Sequence, residues 1–195
     1  MSRTSEKTRT TKETDIKVKL DLDGKGEYKI DTGIGFFDHM LEGFSKHGFF
    51  DLTLSCKGDL NVDSHHTVED CGIVLGEAIK EAVGDKAGIK RYGHFILPMD
   101  DALVLCAVDL CGRPFLNFDV HFTNERIGSL ESDLIKEFFY AVSYSAGMNI
   151  HIKMLDGTND HHIAEAAFKA FAKALDMAVS SEERVSGVLS TKGAL

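Results

Sequence analysis

The stretch "NVDSHHTVED", from Asn61 to Asp70, places two adjacent histidines and a glutamate at the predicted start of a helix. The stretch "GTNDHHIAEA", from Gly157 to Ala166, repeats the arrangement in the second part of the chain. In each case the apolar residues that follow recur at the spacing of one helix face. A motif that returns together with its helix predicts a duplicated fold.

The segments that precede each motif also occur in the same order. Apolar residues that alternate around Asp23-Gly24 and around Cys111-Gly112 predict one β-hairpin in each part. Each hairpin is followed by a predicted helix, a predicted strand and the long helix that carries the histidines. The predicted unit is a ββαβα half-domain, present in residues 1–91 with an N-terminal arm and in residues 92–195 with a C-terminal tail. Packed as one compact unit, the halves give an α+β fold with an internal duplication, in which helices lie between or against two sheets.

Glycines and capping residues set the predicted helix boundaries. The first helix of each half is predicted at 36–48 and at 131–147, and the long helices are predicted at 63–84 and 159–179. Each long helix begins at a residue whose side chain can cap it, and the candidates are Asp63, Ser64, Asn159 and Asp160.

The composition excludes several classes of protein. The chain of 195 residues carries a formal net charge of −9, whereas a general nucleic-acid-binding protein needs a basic surface. No apolar run approaches the ~18–20 residues of a membrane span, and the polar N-terminus has no apolar signal segment. The four cysteines form no C-x-x-C pair and lie mostly in apolar stretches, which indicates core thiols in a reducing compartment. We therefore expect a cytoplasmic protein that binds neither nucleic acid nor membrane.

Helix geometry explains why adjacent histidines suggest two metal ions. A helix turns by about 100° per residue, so His65 shares a face with Glu69 while its neighbour His66 points in another direction. Either histidine can share an ion with Glu69, but the two are poorly placed to bind the same ion. Two such helices suggest two metal sites whose ligands are exchanged between helices or between subunits. Imidazole and carboxylate suit several divalent ions, and a motif without cysteine argues against a structural zinc site.

Structural explanations of the same residues stay open at this level. One histidine doublet near a helix N-terminus is more often solvated than metal-binding, and a duplicated fold can retain a capping pattern by descent. Two doublets at equivalent positions of a repeat favour a site. Single residues carry less information, since Lys169 can form an ordinary surface pair with Glu165. The sequence around Gly33 and Gly35 lacks the third glycine of a dinucleotide-binding fingerprint.

Several motifs in a fixed order resemble one known family. They are "TKETDIKV", "DTGIGFFDHML", "DSHHTVEDCGIVLGEAI", "GRPFL", "EFFYA" and "GTNDHHIAEAAFKAFAKAL", with "STKG" near the C-terminus. From about Arg9 to Leu195 the chain resembles the imidazoleglycerol-phosphate dehydratase family of histidine biosynthesis. The resemblance implies a duplicated half-domain with helices on a sheet, and a monofunctional hydro-lyase.

The resemblance also implies two manganese ions per active site, at subunit boundaries within a large homo-oligomer built from trimers, a 24-mer. One ion is expected to bind four ligands, which are His39, His66, Glu69 and His161. The other ion is expected to bind His65, Glu137, His162 and Glu165. The family carries either histidine or glutamate at the position of Glu137.

The resemblance assigns further residues to the substrate. A basic clamp for a phosphate group is expected from Arg91, Arg113, Lys169 and Lys192, assisted by Ser190 and Thr191. The family commonly carries serine where this chain has Thr191. A carboxylate beside the reacting carbons is expected from Glu13. The implied catalytic set is Glu13, His65, Glu69, His161 and Glu165.

The implied reaction removes water from the glycerol chain of imidazole glycerol phosphate and gives imidazole acetol phosphate. The hydrogen to be removed is not next to a carbonyl group, so the imidazole ring serves as the electron sink. Held as an imidazolate between two metal ions, the ring can expel hydroxide from the adjacent carbon to give a diazafulvene-like species. Glu13 then moves a proton to complete the enol, which tautomerises to the ketone. Two alternatives remain, a dinuclear hydrolase that uses a metal-bound hydroxide and a structural oligomer whose ions only join subunits.

Overall fold

Alternating apolar residues form strands that bury one face in each half. The computed structural model describes residues 3–195. Its first sheet contains β1 (Thr4–Thr10), β2 (Thr14–Asp21), β3 (Tyr28–Asp31) and β4 (Asp51–Gly58), in the order β1-β2-β4-β3. In β2, Ile16, Val18 and Leu20 are buried while the lysines between them are exposed. The apolar face of the sheet is therefore covered, and the lysines face solvent.

The second sheet repeats this topology. It contains β5 (Tyr92–Met99), β6 (Ala102–Asp109), β7 (Phe115–Asp119) and β10 (Asn149–Asp156), in the order β5-β6-β10-β7. A short hairpin of β8 (Arg126–Ile127) and β9 (Leu130–Glu131) forms a separate pair. In both sheets the strand that comes last in the sequence lies antiparallel to one neighbour and parallel to the other. The predicted α+β class, with duplicated halves and two sheets, is confirmed.

Strand pairing differs from the prediction at both glycine turns. β2 and β3 flank Asp23-Gly24 but do not pair, because β4 lies between them. β6 and β7 flank Cys111-Gly112, and β10 lies between them in the same way. The two predicted hairpins are therefore wrong. The glycines do mark a reversal of the chain. However, the strand that pairs with both flanking strands comes later in the sequence, so the local pattern around the glycines does not reveal it.

Each half also contains one strand more than predicted, at its start. β1 is an edge strand with the sequence TSEKTRT, in which Ser5 is the one buried residue, so it shows no apolar alternation. β5 is an edge strand as well, and its Ile96 is half exposed. The charged side chains of β1 suit an edge position, because they prevent pairing with another chain. The first half is therefore βββαβα rather than ββαβα, and the second half differs from it by the short β8–β9 pair before α3.

The four helices occur where they were predicted. They are α1 (Gly35–Gly48), α2 (His65–Val83), α3 (Leu134–Ala146) and α4 (Asp160–Val179). Asn159 caps α4, because its side chain accepts the amide hydrogens of His161 and His162. At the start of α2 the side chain of Asp63 accepts the amide hydrogen of His65 at 2.9 Å. No helix within residues 3–195 combines the length and the apolar character needed to cross a bilayer.

The helices pack across the two halves. α2 packs on β1 and β2, and α4 packs on β5 and β6, whereas α1 packs on α4 and α3 packs on α2. Phe37 of α1 meets Phe138 of α3 at a ring-centroid distance of 5.3 Å, and Phe44 of α1 meets Phe171 of α4 at 5.5 Å. All four rings are buried, so the halves share one hydrophobic core. This crossed packing brings residues of α1 beside residues of α4.

α2 and α3 approach each other closely at two glycines. A Cβ atom on Gly72 would lie 2.8 Å from the carbonyl oxygen of Phe138, and one on Gly76 would lie 2.8 Å from the carbonyl oxygen of Val142. Backbone atoms in a close-packed interior cannot move aside without disturbing their neighbours. The two glycines therefore set the distance between these helices.

We expect Gly72→Ala to lower the free energy of unfolding by about 1–3 kcal/mol, the usual cost of forcing extra atoms into a packed core. Gly35→Ala is the matched control, because a Cβ atom at Gly35 meets nothing within 4 Å. It should change the stability by less than about 1 kcal/mol. Urea unfolding of both variants at one protein concentration measures the difference, and equal stabilities would contradict the role of Gly72.

Candidate functional site

Two histidines and a glutamate from α1 and α4 converge at the surface. Nε2 of His39 lies 3.6 Å from Oε2 of Glu165, and Nε2 of His161 lies 3.3 Å from the same oxygen. His161 and Glu165 share one face of α4 because they are one turn apart, and α1 brings His39 to that face. The Glu165 side chain is 10% exposed, whereas those of His39 and His161 are 48% and 46% exposed. A nearly buried carboxylate therefore lies beneath two accessible imidazoles.

Lys169 continues this face of α4 one turn beyond Glu165. Its ammonium group binds Oε1 of Glu165, which leaves Oε2 directed at the two histidines. Burial acts to raise the pKa of Glu165, but the hydrogen bond and the charge of Lys169, with His39 and His161, outweigh burial and keep this pKa below its ordinary value. Glu165 is therefore ionised at neutral pH and can serve as a metal ligand.

The donor atoms of this cluster fit a divalent metal ion. One ligand atom each from His39, His161 and Glu165 lies within 4.8 Å of the others. Two imidazole nitrogens and a carboxylate oxygen suit manganese among other divalent ions. The resemblance to the family grouped His39 with His161 but assigned Glu165 to the other ion, whereas the fold brings all three together within one chain. Among residues 3–195 no other group of three His, Cys, Asp or Glu side chains converges as closely.

The first doublet repeats part of this geometry. Nε2 of His65 lies 3.6 Å from Oε2 of Glu69, one turn further along α2. Glu137 lies on α3, which packs on α2 as α1 packs on α4. In the repeat it occupies the position of His39. His39 lies six residues before Ser45 and Glu137 lies six residues before Ser143, and each of these buried serines donates its hydroxyl hydrogen to a carbonyl oxygen just beyond its helix. Glu137 is thus carried by the helix that packs against the first doublet.

The second histidine of the first doublet contacts carboxylates outside its helix. Nδ1 of His66 lies 3.1 Å from Asp59, and Nε2 lies 3.9 Å from Glu13. The hydrogen bond to Asp59, with the nearby charge of Glu13, raises the pKa of His66. Glu13, predicted to act on the substrate, therefore lies beside the first doublet.

The second doublet has a similar arrangement. Nδ1 of His162 lies 2.6 Å from Asp101, and Nε2 lies 3.5 Å from Asp100. The hydrogen bond to His162, with two backbone amides, holds the pKa of Asp101 well below its usual range. Asp59 and Asp101 belong to neither histidine motif and were not predicted. Asp59 lies three residues after the predicted strand at 49–56, and Asp101 is the first residue of the predicted strand at 101–110, so no local pattern marked either residue.

The residues predicted to bind phosphate lie in two places. A cavity of 680 Å³ beside the C-terminal tail is lined by several of them, namely Arg91, Arg113, Ser190, Thr191 and Lys192. Lys169 lies apart from this cavity, on α4 beside Glu165. Arg184 also lines the cavity but was not predicted, because nothing in its sequence context distinguishes it from a surface arginine.

Arg91 orders the wall of this cavity. Its guanidinium group donates to both carboxylate oxygens of Asp109, at 2.7 and 3.1 Å, and to the carbonyl oxygen of Leu189 at 2.7 Å. The hydrogen bonds to Asp109 raise the pKa of Arg91. Arg91 thus fixes the tail next to the hydroxyl groups of Ser190 and Thr191.

The length of α4 separates the cavity from the histidine cluster. The amide of Arg91 donates to the carbonyl oxygen of Ala178 near the C-terminal end of α4, while His161 lies at its N-terminal end. A helix rises by about 1.5 Å per residue, so roughly 25 Å of helix lies between these two positions. One chain therefore does not bring the basic cavity to its own histidine cluster.

Comparison with known proteins identifies relatives along almost the whole chain. The profile described as imidazoleglycerol-phosphate dehydratase matches residues 32–175. An imidazoleglycerol-phosphate dehydratase of Lachnoclostridium phytofermentans is 64% identical, covering 99% of this chain and 98% of its own. The enzyme of the same description from Acetivibrio thermocellus is 55% identical and covers 100% of both chains.

Two crystal structures are similar in fold. The imidazoleglycerol-phosphate dehydratase of Staphylococcus aureus has a TM-score of 0.83 and 37% identity, covering 92% of this chain and 99% of its own. The structure of IGPD from Pyrococcus furiosus in complex with (S)-C348 has a TM-score of 0.84 and 41% identity, covering 97% of this chain and 100% of its own.

Fold, site and relatives together define a hydro-lyase built from two α+β half-domains. The relatives match from end to end, so the assignment applies to both halves. The chain belongs to the imidazoleglycerol-phosphate dehydratase family, whose reaction is a step of histidine biosynthesis.

The resemblance assigns Lys169 to the phosphate group of the substrate. We therefore expect Lys169→Met to raise the KM for substrate by about tenfold or more, because one charge-assisted hydrogen bond to a phosphate is worth roughly 1.5–3 kcal/mol. Manganese binding should be retained, since Lys169 contacts Oε1 of Glu165 and leaves Oε2 facing the histidines. Lys173→Met, one turn further along α4, is the control. Steady-state kinetics with metal analysis measures both effects, and loss of manganese at an unchanged KM would instead assign Lys169 to holding Glu165.

Proposed function

We propose that this chain is a manganese-dependent dehydratase that converts imidazole glycerol phosphate to imidazole acetol phosphate and water. The observation that carries the proposal is the convergence of His39, His161 and Glu165 in a chain of this family. Their nitrogen and oxygen donors supply part of the shell that a divalent ion needs. We assign a second ion to the equivalent position at α2 and α3. The remaining predicted ligands are His65, His66, Glu69, Glu137 and His162.

The chemistry divides between the metal and the protein. Manganese, when bound, supplies Lewis acidity that favours the imidazolate form of the substrate ring. The Glu13 side chain is 53% exposed and lies 3.9 Å from His66, so its carboxylate can meet a glycerol chain held at the first doublet. We assign to Glu13 the transfer of the carbon-bound proton. The C–O bond breaks, the hydroxyl group leaves as water, and the resulting enol becomes the ketone.

The basic cavity suits the other end of the substrate. Arg113, Lys192 and the hydroxyl groups of Ser190 and Thr191 line it, and Arg91 holds its wall. Cations and hydroxyl donors at these positions can bind a phosphate group without taking part in bond breaking. Fixing the phosphate in this way orients the glycerol carbons for reaction.

The distance along α4 implies that each active site is shared between subunits. The cavity and the histidine cluster are separated by far more than the three carbons that join ring and phosphate in the substrate. The ring is therefore assigned to the histidines of one subunit and the phosphate to the cavity of a neighbour. A homo-oligomer built from trimers, such as a 24-mer, provides these contacts. The four cysteines are buried free thiols, which supports a cytoplasmic location.

The proposal is tested by measuring ketone formation from imidazole glycerol phosphate, with the particle size followed by light scattering. Turnover should be lost when a chelator removes the metal and should return with manganese. The particle should shrink and reassemble in parallel, because the resemblance implies ions at subunit boundaries. A generic phosphoester is the control and should not be hydrolysed. Full turnover by verified metal-free protein would contradict metal dependence, and an unchanged particle would contradict ions at subunit boundaries.

Substitution of the proton-transfer residue gives a sharper test. We expect Glu13→Gln to lower kcat by roughly 10²-fold or more, the usual scale for loss of a general acid–base group. Manganese content and particle size should stay as in the wild type, because Glu13 is not among the proposed ligands. Glu6→Gln, an exposed carboxylate on β1, is the matched control. Near-normal turnover by the Glu13 variant with full manganese would contradict its role in proton transfer and would show that Glu13 is an ordinary surface residue.

A further inference from the structure

In each doublet, Nδ1 of the second histidine contacts a carboxylate group. Nδ1 of His66 lies 3.2 and 3.1 Å from the two carboxylate oxygens of Asp59. Nδ1 of His162 lies 2.6 Å from Oδ1 of Asp101. The first histidines of the doublets contact a carboxylate through Nε2. The second histidines have carboxylates near both nitrogens, because Nε2 of His66 lies 3.9 Å from Glu13 and Nε2 of His162 lies 3.5 Å from Asp100. The contact at Nδ1 is therefore what distinguishes the second members.

Hydrogen-bond chemistry fixes the state of these two rings. An ionised carboxylate only accepts hydrogen bonds, so Nδ1 must carry the proton and donate it. In a neutral ring the lone pair then lies on Nε2, the nitrogen that faces Glu13 in His66 and Asp100 in His162. A ring held in this tautomer is ready to bind a metal ion through Nε2.

The two carboxylates come from different places in the repeat. Asp59 directly follows β4, whereas Asp101 lies in the turn between β5 and β6. The element equivalent to β4 in the second half is β10, and the turn equivalent to β5–β6 in the first half joins β1 to β2. Duplication alone therefore does not account for both carboxylates. The same contact reached from two unrelated positions points to a requirement of the histidines.

We propose that Asp59 and Asp101 are positioning residues that orient His66 and His162 for metal binding through Nε2. The inference rests on the proposed function, because it needs both histidines to be manganese ligands. Partners of this kind typically change metal affinity by about 10- to 100-fold when they are removed.

Asp59 offers the cleaner test of the two. Oδ2 of Asp101 also accepts the amide hydrogens of Thr158 and Asn159, so it holds the segment before α4 as well. Within residues 3–195, the carboxylate of Asp59 has hydrogen bonds to His66 alone. Asp63 is a matched control, because it lies in the same loop and accepts the amide hydrogen of His65 rather than a ring hydrogen.

The experiment titrates the metal-free, full-length protein with manganese alone and follows the EPR signal of the free ion. Asp59→Ala, which removes the acceptor of the Nδ1 hydrogen, should weaken manganese binding by about 10- to 100-fold relative to the wild type. Asp63→Ala should bind within about twofold of the wild type, since it removes the acceptor of a backbone amide and not of a ligand ring. The melting midpoints of the metal-free proteins report whether either change affects folding. If Asp59→Ala does not fold, Asp59→Ser takes its place with the same expectation.

Wild-type affinity in the Asp59 variant would overturn the inference. A lowered melting midpoint at unchanged affinity would overturn it too, because it would assign Asp59 a purely structural role. A wild-type protein that binds no manganese would overturn the proposed function and this inference with it. The wild-type titration therefore separates failure of the metal proposal from failure of the positioning role.

Discussion

The packing of α1 on α4 and of α3 on α2 is the constraint on which the rest of the structure depends. Each sheet has one apolar face, which its own long helix covers, and that helix then packs against a shorter helix from the other half. Buried rings such as Phe37 and Phe138 join the two layers. Because this packing crosses the halves, His39 meets His161 and Glu165 although more than half of the chain lies between them.

The helices could be predicted from the sequence because their information is local. Apolar spacing, the cap at Asn159 and the stop at Gly147 all lie within or beside the element that they define. Strand pairing could not be predicted, since β4 and β10 enter their sheets between strands that come earlier in the chain. The histidine doublets were found because they are repeated. Asp59 and Asp101 were not predicted, because only their short distances to His66 and His162 in the folded chain identify them.

Local electrostatics in this chain run against its overall charge. The net charge is −9, yet the cavity beside the tail gathers Arg91, Arg113 and Lys192 from segments far apart in sequence. Asp109 neutralises part of this charge while it fixes Arg91 in place. At the other end of α4, Lys169 offsets the burial of Glu165 and keeps it ionised. A cation and an anion are thus paired near both ends of the helix, and all four side chains are largely buried.

A duplicated scaffold supplies two similar sites, and the proposed substrate is only partly symmetrical. An imidazole ring presents two nitrogens on opposite sides, which suits two metal positions built from the same His-His-x-x-Glu motif. Its side chain breaks that symmetry, because it carries the hydroxyl and phosphate groups at one end. The halves differ in a corresponding way, since Lys169 on α4 is matched by Ile73 on α2, and His39 on α1 is matched by Glu137 on α3. Under the proposed function, the repeated residues bind the ring, while residues such as Lys169 that only one half possesses hold the rest of the substrate.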